Sequence, residues 1–399
     1  MLKKVLLLWV GVVFMLSYSD LLHAKKTRGV TDKTINIGSS VDLTGPSSFL
    51  GRGASVGTEA YFKYINDQGG INGRKIKYIP EDNTYQPATA VAALKKLIYR
   101  DKILALCFSW GTVTTLAIAD ALKRDNVPAI FYGLSEAPFT PFRRHLFVPL
   151  TTGYRQSIGM ADYIMKELKP KDAKFACIYQ DDEFGKSGLR GFKKGAEHYG
   201  VKWVGEVNYK RGSLDFSSQI LKLKKTGATH VCLASVIREG SGILREAKKL
   251  DWHPNFFGNA AMTEPKLLEL AGDSAEGFIG ASYQIGWEED TPRIKKLKRT
   301  IIKYRGNLKG MSGDFAVSGW AEAVIMTEGL KRAGKDLTAD KLITALESMK
   351  NFDPDGLIPP VTWGPDRREG GVGVRLLKVD LANKALVPIT GWIMPELKK

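Results

Sequence analysis

The chain has 399 residues, 44% of them apolar and 25% charged, with a formal net charge of +17. That length and balance exclude wholesale disorder and suit two domains of ordinary size. The three cysteines, Cys107, Cys177 and Cys232, lie inside apolar runs and suit buried thiols, and no CxxC, HxH or HExxH spacing supports a zinc hydrolase.

The first 24 residues stand apart. Lys3 and Lys4 precede an apolar run over residues 5–16, and Leu22-His23-Ala24 precedes a polar stretch. This is the pattern of a secretory signal peptide cleaved after Ala24. A single membrane anchor is the rival reading, but Gly11, Ser17, Ser19 and Asp20 leave the run short of the roughly 20 residues a span needs. Cleavage there would remove Lys3, Lys4 and Asp20, taking the net charge from +17 to +16. The excess does not form a nucleic-acid stripe. Over residues 293–305, Ile294, Leu297, Ile301 and Tyr304 recur at helical spacing with the basic residues around them, which describes a helix with a solvated cationic face.

From Thr34 onward, short β-branched runs alternate with amphipathic ones. Strands are predicted over 35–41, 76–79, 103–108 and 127–131, with helices over 51–65, 88–98 and 115–122 between them. A second series follows: strand 175–179, helix 185–199, strands 201–204 and 230–234, helix 241–250, then strands 256–258 and 278–283. Long helices are predicted over 293–305 and 315–333, and Thr338 suits the cap of one running to Met349. Residues 374–379 and 386–392 read as a closing β-hairpin.

The chain says nearly the same thing twice. Ile76-Lys77-Tyr78-Ile79-Pro80-Glu81 returns as Val201-Lys202-Trp203-Val204-Gly205-Glu206, each copy preceded by a helix opening on glycine, Gly51 or Gly185, and followed by a helix and a strand. The order implies two similar α/β lobes with parallel sheets. Ligands of such sheets bind beyond the carboxyl ends of the strands. Two lobes facing each other would therefore form a cleft, with Leu50 and Phe184, the residues before the two glycines, looking across it.

The motifs supply loops that bind and little that reacts. Gly45 to Gly51 has five residues between its glycines where a phosphate-binding P-loop has four, and Arg52-Gly53 stands where Lys and Ser or Thr are needed. The loop is better read as a helix N-terminus facing the cleft, with free backbone N–H groups suited to a carboxylate. Ser109-Trp110-Gly111-Thr112 follows a buried strand and offers hydroxyls beside an indole, with helix capping by Thr112 or Thr114 as the alternative. Gly133-Leu134-Ser135-Glu136 follows the next strand in the same way. Asp181-Asp182-Glu183 is the one dense acidic cluster near the cleft, and no nucleophile, base and orienting acid fall together.

Several of these stretches fall in one order and spacing: Leu43-Thr44-Gly45-Pro46 with Gly51, Ile65-Asn66 with Gly69-Gly70-Ile71-Asn72-Gly73-Arg74, Pro80-Glu81-Asp82-Asn83, Asp181 through Gly185, Asp215-Phe216-Ser217, and Ala271-Gly272-Asp273-Ser274-Ala275-Glu276-Gly277. Together they resemble the periplasmic solute-binding proteins of ABC transporters, type I fold, in the branched-chain amino acid binding family. The resemblance covers essentially the whole chain after the leader. It implies two Rossmann-like α/β lobes joined by a three-crossover hinge, the crossovers falling at 149–152, 279–283 and 357–362. The first lobe would comprise 25–150 plus 283–358, and the second 151–282 plus 359–399. It also implies hinge closure on a small ligand and delivery to a membrane permease.

In members that bind α-amino acids, the resemblance places the ligand carboxylate at Thr112 and its neighbours and at Leu134 with Ser135. An aromatic falls at Phe184, and an acidic residue that holds the ammonium is expected at Ala260. This chain has alanine there, and Val236 where a nearby aromatic is expected. An ammonium dehydrated without a counter-charge is strongly unfavourable, so the expected ligand is an aromatic or other apolar carboxylate, with a neutral amide next. Glu239, Glu264 and Asp182 are the acids left to reach an ammonium from elsewhere. The candidate ligand-binding residues are Leu50, Ser109, Trp110, Gly111, Thr112, Leu134, Ser135, Tyr154, Phe184, Val236, Ala260 and Met262. The reading is a monomeric periplasmic binding protein, not an enzyme, with no cofactor, metal or nucleic-acid partner. Branched-chain amino-acid binding and an amide-binding sensor module are the alternatives.

Overall fold

The computed structural model describes residues 27–395, so the expected leader over residues 1–24 lies outside it. Two sheets carry the chain, and their central strands bury β-branched and aromatic side chains on both faces. The first holds β1 (Thr34–Val41), β2 (Lys75–Asp82), β3 (Ala105–Trp110), β4 (Ala129–Tyr132) and β5 (Leu146–Phe147), in the order β2-β1-β3-β4-β5 and parallel throughout. The second holds β6 (Lys174–Gln180), β7 (Lys202–Tyr209), β8 (His230–Ala234), β9 (Asn255–Gly258) and β10 (Ile279–Ser282) in the same relative order, β7-β6-β8-β9-β10. The repeated hexapeptide thus lies on the edge strand of each sheet. The predicted hairpin, β11 (Arg375–Asp380) and β12 (Ala385–Pro388), extends the second sheet beyond β10 with antiparallel pairing. Cys107, Cys177 and Cys232 are fully buried in β3, β6 and β8.

The helices after β1 and β6 are α1 (Ser48–Asp67) and, later in the chain, α5 (Glu183–Tyr199). Between them come α2 (Pro87–Lys95), α3 (Thr112–Arg124) and α4 (Gly153–Tyr163). Both α1 and α5 begin before the glycine expected to open them. Asp42 draws the chain round before α1 by accepting from Gly45 N at 2.6 Å and Ser47 N at 2.8 Å, and Asp182 caps α5 by accepting from Gly185 N at 3.2 Å. Gly51 and Gly185 therefore sit within the first turns, where each helix presses on the strand before it. A Cβ on Gly51 would stand 1.9 Å from Asp42 O, and one on Gly185 would stand 2.1 Å from Gln180 O.

The second lobe continues through α6 (Ser217–Lys224), α7 (Ile237–Lys249) and α8 (Lys266–Ala271). The chain then returns to the first lobe as α9 (Pro292–Arg305), α10 (Gly313–Ala333) and α11 (Ala339–Glu347). Each of these three has a hydroxyl cap: Thr291 for Ile294 N at 3.2 Å, Ser312 for Phe315 N at 3.0 Å and Thr338 for Lys341 N at 3.2 Å. Ile294, Leu297 and Ile301 of α9 are buried, as the spacing requires of a helix with one solvated face.

The third passage between lobes falls later than the expected 357–362. Val361 and Trp363 are buried in the first lobe, where the Trp363 indole meets the Phe147 ring edge-on at 5.2 Å, and only at Val374 does the chain join the core of the second sheet. The passage lies at residues 370–373, beside the first one: Gly370 N donates to Val148 O at 2.7 Å, and the Thr151 hydroxyl donates to Gly373 O at 2.6 Å. The second passage follows β10, where Ile285 N donates to Leu357 O at 2.9 Å.

The lobes are closed on each other. Phe184, Ala260 and Ala261 of the second lobe belong to the apolar cluster of the first. At one rim Glu136 accepts from the Ser187 hydroxyl at 2.6 Å and from Arg190 at 2.7 Å. Behind the cleft, Glu264 of the second lobe takes the hydroxyl of Ser312, two residues before Asp314 in α10. Burial pushes Glu264 well above the usual carboxylate range, and the Asp314 charge adds to the shift. Burial likewise raises Asp314 to about 7, against the Trp287 N–H and Arg375, with Glu288 and Glu289 adding to the rise.

Replacing Gly185 with alanine overfills the contact with Gln180 O and is expected to cost about 1–3 kcal/mol of stability; a denaturant midpoint unchanged from wild type would refute the close-approach account. A carboxyl whose pKa is higher in the folded than in the unfolded protein stabilises the fold fully below its unfolded value of about 4. That contribution is lost as pH rises through about 7. Asp314→Asn is expected to flatten this part of the profile, so the difference in melting temperature between variant and wild type should grow between about pH 4 and pH 7, and a difference constant with pH would remove Asp314 as its source.

Candidate ligand-binding site

β3 is irregular just before its end. Its register shifts on both sides, and Phe108 adopts φ +67°. Gly111, at φ +90°, then turns the chain into α3, and a Cβ there would meet the Tyr85 ring at 2.7 Å. The result is a set of rings stacked at the mouth of the sheet. Trp110 and Tyr132 lie 5.0 Å apart and 4° from parallel, Phe108 stacks on Tyr132 at 4.9 Å, and Phe315 of α10 leans on Trp110 and Tyr132 at 5.3 and 5.2 Å. The Trp110 indole N–H donates to Ser47 Oγ at 3.0 Å, and that hydroxyl donates to Asp42 at 2.6 Å. The carboxylate that shapes the turn before α1 therefore also fixes the indole.

Beside these rings lies a narrow cavity of about 30 Å³. The first lobe contributes Ser47, Leu50, Tyr85, Trp110, Gly111, Thr112, Tyr132, Gly133, Leu134 and Phe315, and the second contributes Phe184, Val236 and Ala261. Leu50 and Phe184 do face the same space from opposite lobes. None of these residues carries a charge. The Ser47 and Tyr132 hydroxyls are engaged with Asp42 and Tyr283, whereas the Thr112 hydroxyl is buried without a partner and the first backbone N–H groups of α3 have none within the helix. Such a pair of donor sets can hold an oxyanion. Beneath the rings, Glu322 is fully buried, and burial pushes its carboxyl well above the usual carboxylate range.

Of the twelve residues singled out from sequence, Leu50, Trp110, Gly111, Thr112, Leu134, Phe184 and Val236 line this cavity. The others lie elsewhere. The Ser109 hydroxyl pairs with Thr115 Oγ1 at 3.0 Å, one residue behind the wall, and Ser135 Oγ accepts from Ala137 N at 3.1 Å. Tyr154 begins α4, its N–H held by Ser187 Oγ at 3.1 Å. Ala260 N donates to Gln156 at 2.9 Å, and it is Ala261 that reaches the cavity. Met262 is fully buried in the core of the second lobe, pressed against Gly240. Thr112 caps nothing, while the Thr114 hydroxyl turns back onto Gly111 O at 3.0 Å.

Sequence reasoning passed over Ser47, Tyr85, Tyr132, Gly133, Ala261 and Phe315. Tyr132 and Tyr85 follow the rule that sheet ligands lie beyond carboxyl ends, applied one strand further. Phe315 arrives on a helix more than a hundred residues from any other lining residue of its lobe, and no local pattern marks it. The three acids considered for an ammonium are all engaged outside the cavity. Asp182 pairs with Arg211 at 2.7 Å, Glu239 accepts from Gly212 N at 2.9 Å and Glu264 holds Ser312.

A sequence model described as periplasmic binding protein matches residues 34–385. The Leu-, Ile-, Val-, Thr- and Ala-binding protein of Pseudomonas aeruginosa is 25% identical, over 81% of this chain and 84% of its own. The Leu/Ile/Val-binding protein of Escherichia coli is 23% identical over 80% and 84%. Among solved structures, a fatty acid ABC transporter substrate-binding protein from Thermomonospora curvata superposes with a TM-score of 0.83 at 26% identity, covering 93% of this chain and 95% of that one. A branched-chain amino acid ABC transporter protein from Thermus thermophilus with bound valine superposes with a TM-score of 0.81 at 24% identity, covering 92% and 97%. With two parallel-sheet lobes, a cavity between them and a family match over nearly the whole described chain, this protein belongs to the periplasmic binding proteins and has their type I fold.

Proposed function

We propose that this protein is the extracytoplasmic binding component of an ABC importer, closing by hinge motion on a small apolar carboxylate, aromatic by preference, rather than on an α-amino acid. One observation carries the reading: the residues lining the cavity include five aromatic side chains, Tyr85, Trp110, Tyr132, Phe184 and Phe315, and no acid. A carboxylate has donors in the Thr112 hydroxyl and the α3 N-terminus, and an apolar body has the rings. An ammonium would be dehydrated with no counter-charge within the walls, a cost of several kcal/mol. The relative named for fatty acids supports an apolar carboxylate, and those named for branched-chain amino acids keep leucine and valine as the second reading. In this reading the leader is cleaved after Ala24, the protein works as a monomer, and its partner is a membrane permease.

The test is thermal unfolding of protein freed of ligand by unfolding and refolding, against benzoate-type acids, short aliphatic acids, amides, leucine and valine. At a hundred times its dissociation constant a ligand adds about 2.7 kcal/mol. Stabilisation by the acids and none by leucine or valine is the expected outcome; the reverse would establish an amino-acid site. Thr112→Ala is expected to weaken an acid so identified by about tenfold to a hundredfold, the worth of one hydrogen bond to a charged group, as measured by calorimetry.

A further inference from the structure

Arg211 lies in the second lobe, on the loop between β7 and α6, and its side chain is 21% exposed. Its guanidinium makes three contacts at once. One nitrogen donates to Tyr85 O of the first lobe at 2.7 Å, another donates to Asp182 at 2.7 Å, and the plane lies over the Tyr85 ring at 4.1 Å. Both partners are themselves fixed to the cavity. Tyr85 lines it, and its N–H is held by Asn83 Oδ1 at 2.9 Å while the Asn83 amide holds Trp110 O at 3.2 Å. Asp182 caps the helix whose first turn carries Phe184.

We propose that Arg211 is the latch of the cleft, a positioning residue that holds the closed lobes together before any ligand enters. All three contacts are between protein groups; the two to Tyr85 cross from lobe to lobe and are broken when the lobes part, while Asp182, in the same lobe as Arg211, holds the guanidinium in position for them. A planar, forked guanidinium satisfies a carbonyl, a carboxylate and a ring face together, which an ammonium cannot do. Its loop is fixed too: Gly212 N donates to Glu239 at 2.9 Å, and the Ser213 hydroxyl turns back onto Lys210 O at 2.6 Å. The other rim contact, Arg190 with Glu136, has a side chain 42% exposed and no ring beneath it, so water competes for it. The proposal rests on the hinge-closing reading above and not on the identity of the ligand.

The experiment places spin labels on Lys95→Cys and Lys222→Cys, exposed positions one in each lobe, and measures their distance distribution by pulsed electron resonance in ligand-free protein. The native cysteines are fully buried. Protein with Arg211 intact is expected to show a closed component beside an open one. Arg211→Ala should lower the closed-to-open ratio by about tenfold, Arg211→Lys should fall between, and Arg190→Ala should change it by less than about threefold. If the alanine variant fails to fold, the lysine variant carries the test through its smaller shift. Identical distributions with and without Arg211, or an empty protein that is wholly open, would overturn the proposal. An Arg190→Ala effect as large as that of Arg211→Ala would overturn the assignment to Arg211.

Discussion

The ligand cavity depends on one contact made twice: a helix whose first turn touches the backbone of the strand before it, with no room for a side chain between. Gly51 on Asp42 O and Gly185 on Gln180 O are the two instances. Because each helix starts so close to its strand, the residue before each glycine is carried to the strand's carboxyl end, and Leu50 and Phe184 meet across the gap. The same turn orients Asp42, and Asp42 through Ser47 holds the Trp110 indole against Tyr132. One buried carboxylate thus joins the chain's first turn to its ring stack, and packing, more than any reactive group, defines the site.

Closing such a cavity removes water from everything inside it, so the charges within reach decide what is admitted. This chain keeps them out of the walls. Asp182 and Glu239 are turned to partners of their own, Glu264 holds the Ser312 hydroxyl, and Glu322 lies buried beneath the rings, where burial raises its carboxyl well above the usual range. What remains is a ring-walled space beside the Thr112 hydroxyl and the α3 N-terminus, the pattern on which the proposed preference for an amphiphilic anion rests. Alanine at position 260 is only part of the reason, since its backbone N–H is tied to Gln156 and its neighbour Ala261 forms the wall.

Much of the fold was legible because it repeats. A hexapeptide seen nearly twice and short β-branched runs alternating with amphipathic ones predict two parallel sheets, and the sheets have matching strand order. The boundaries were less legible for local reasons. Asp42 and Asp182 start their helices ahead of the expected glycines, and Trp363 binds its segment to the first lobe past the crossover expected at 357–362. In the site, residues at strand ends could be read from position alone, as Trp110, Thr112 and Leu134 were. Ser109, Ser135 and Met262 share those neighbourhoods, but their side chains turn to local partners or the core, a choice that depends on φ, register and packing. Phe315 reaches the cavity by tertiary packing of α10 and leaves no trace in local sequence.

Closure also has an energy of its own, apart from the ligand. The apparent dissociation constant of a hinge protein is the intrinsic one divided by the fraction already in the binding-competent state. Contacts between the lobes therefore set affinity without touching the ligand. Arg211, packed on Tyr85 and paired with Asp182, favours closure. Behind the same cleft, Glu264 and Asp314 lie close together, and burial raises both carboxyls, so the closed form disfavours ionising them. A lobe interface with only favourable contacts would stay shut when empty and present a permease with a closed form that carries nothing. A latch that shifts the closed-to-open ratio by about tenfold is too weak to do that alone, so ligand binding supplies the remaining free energy of closure and the closed form reports occupancy.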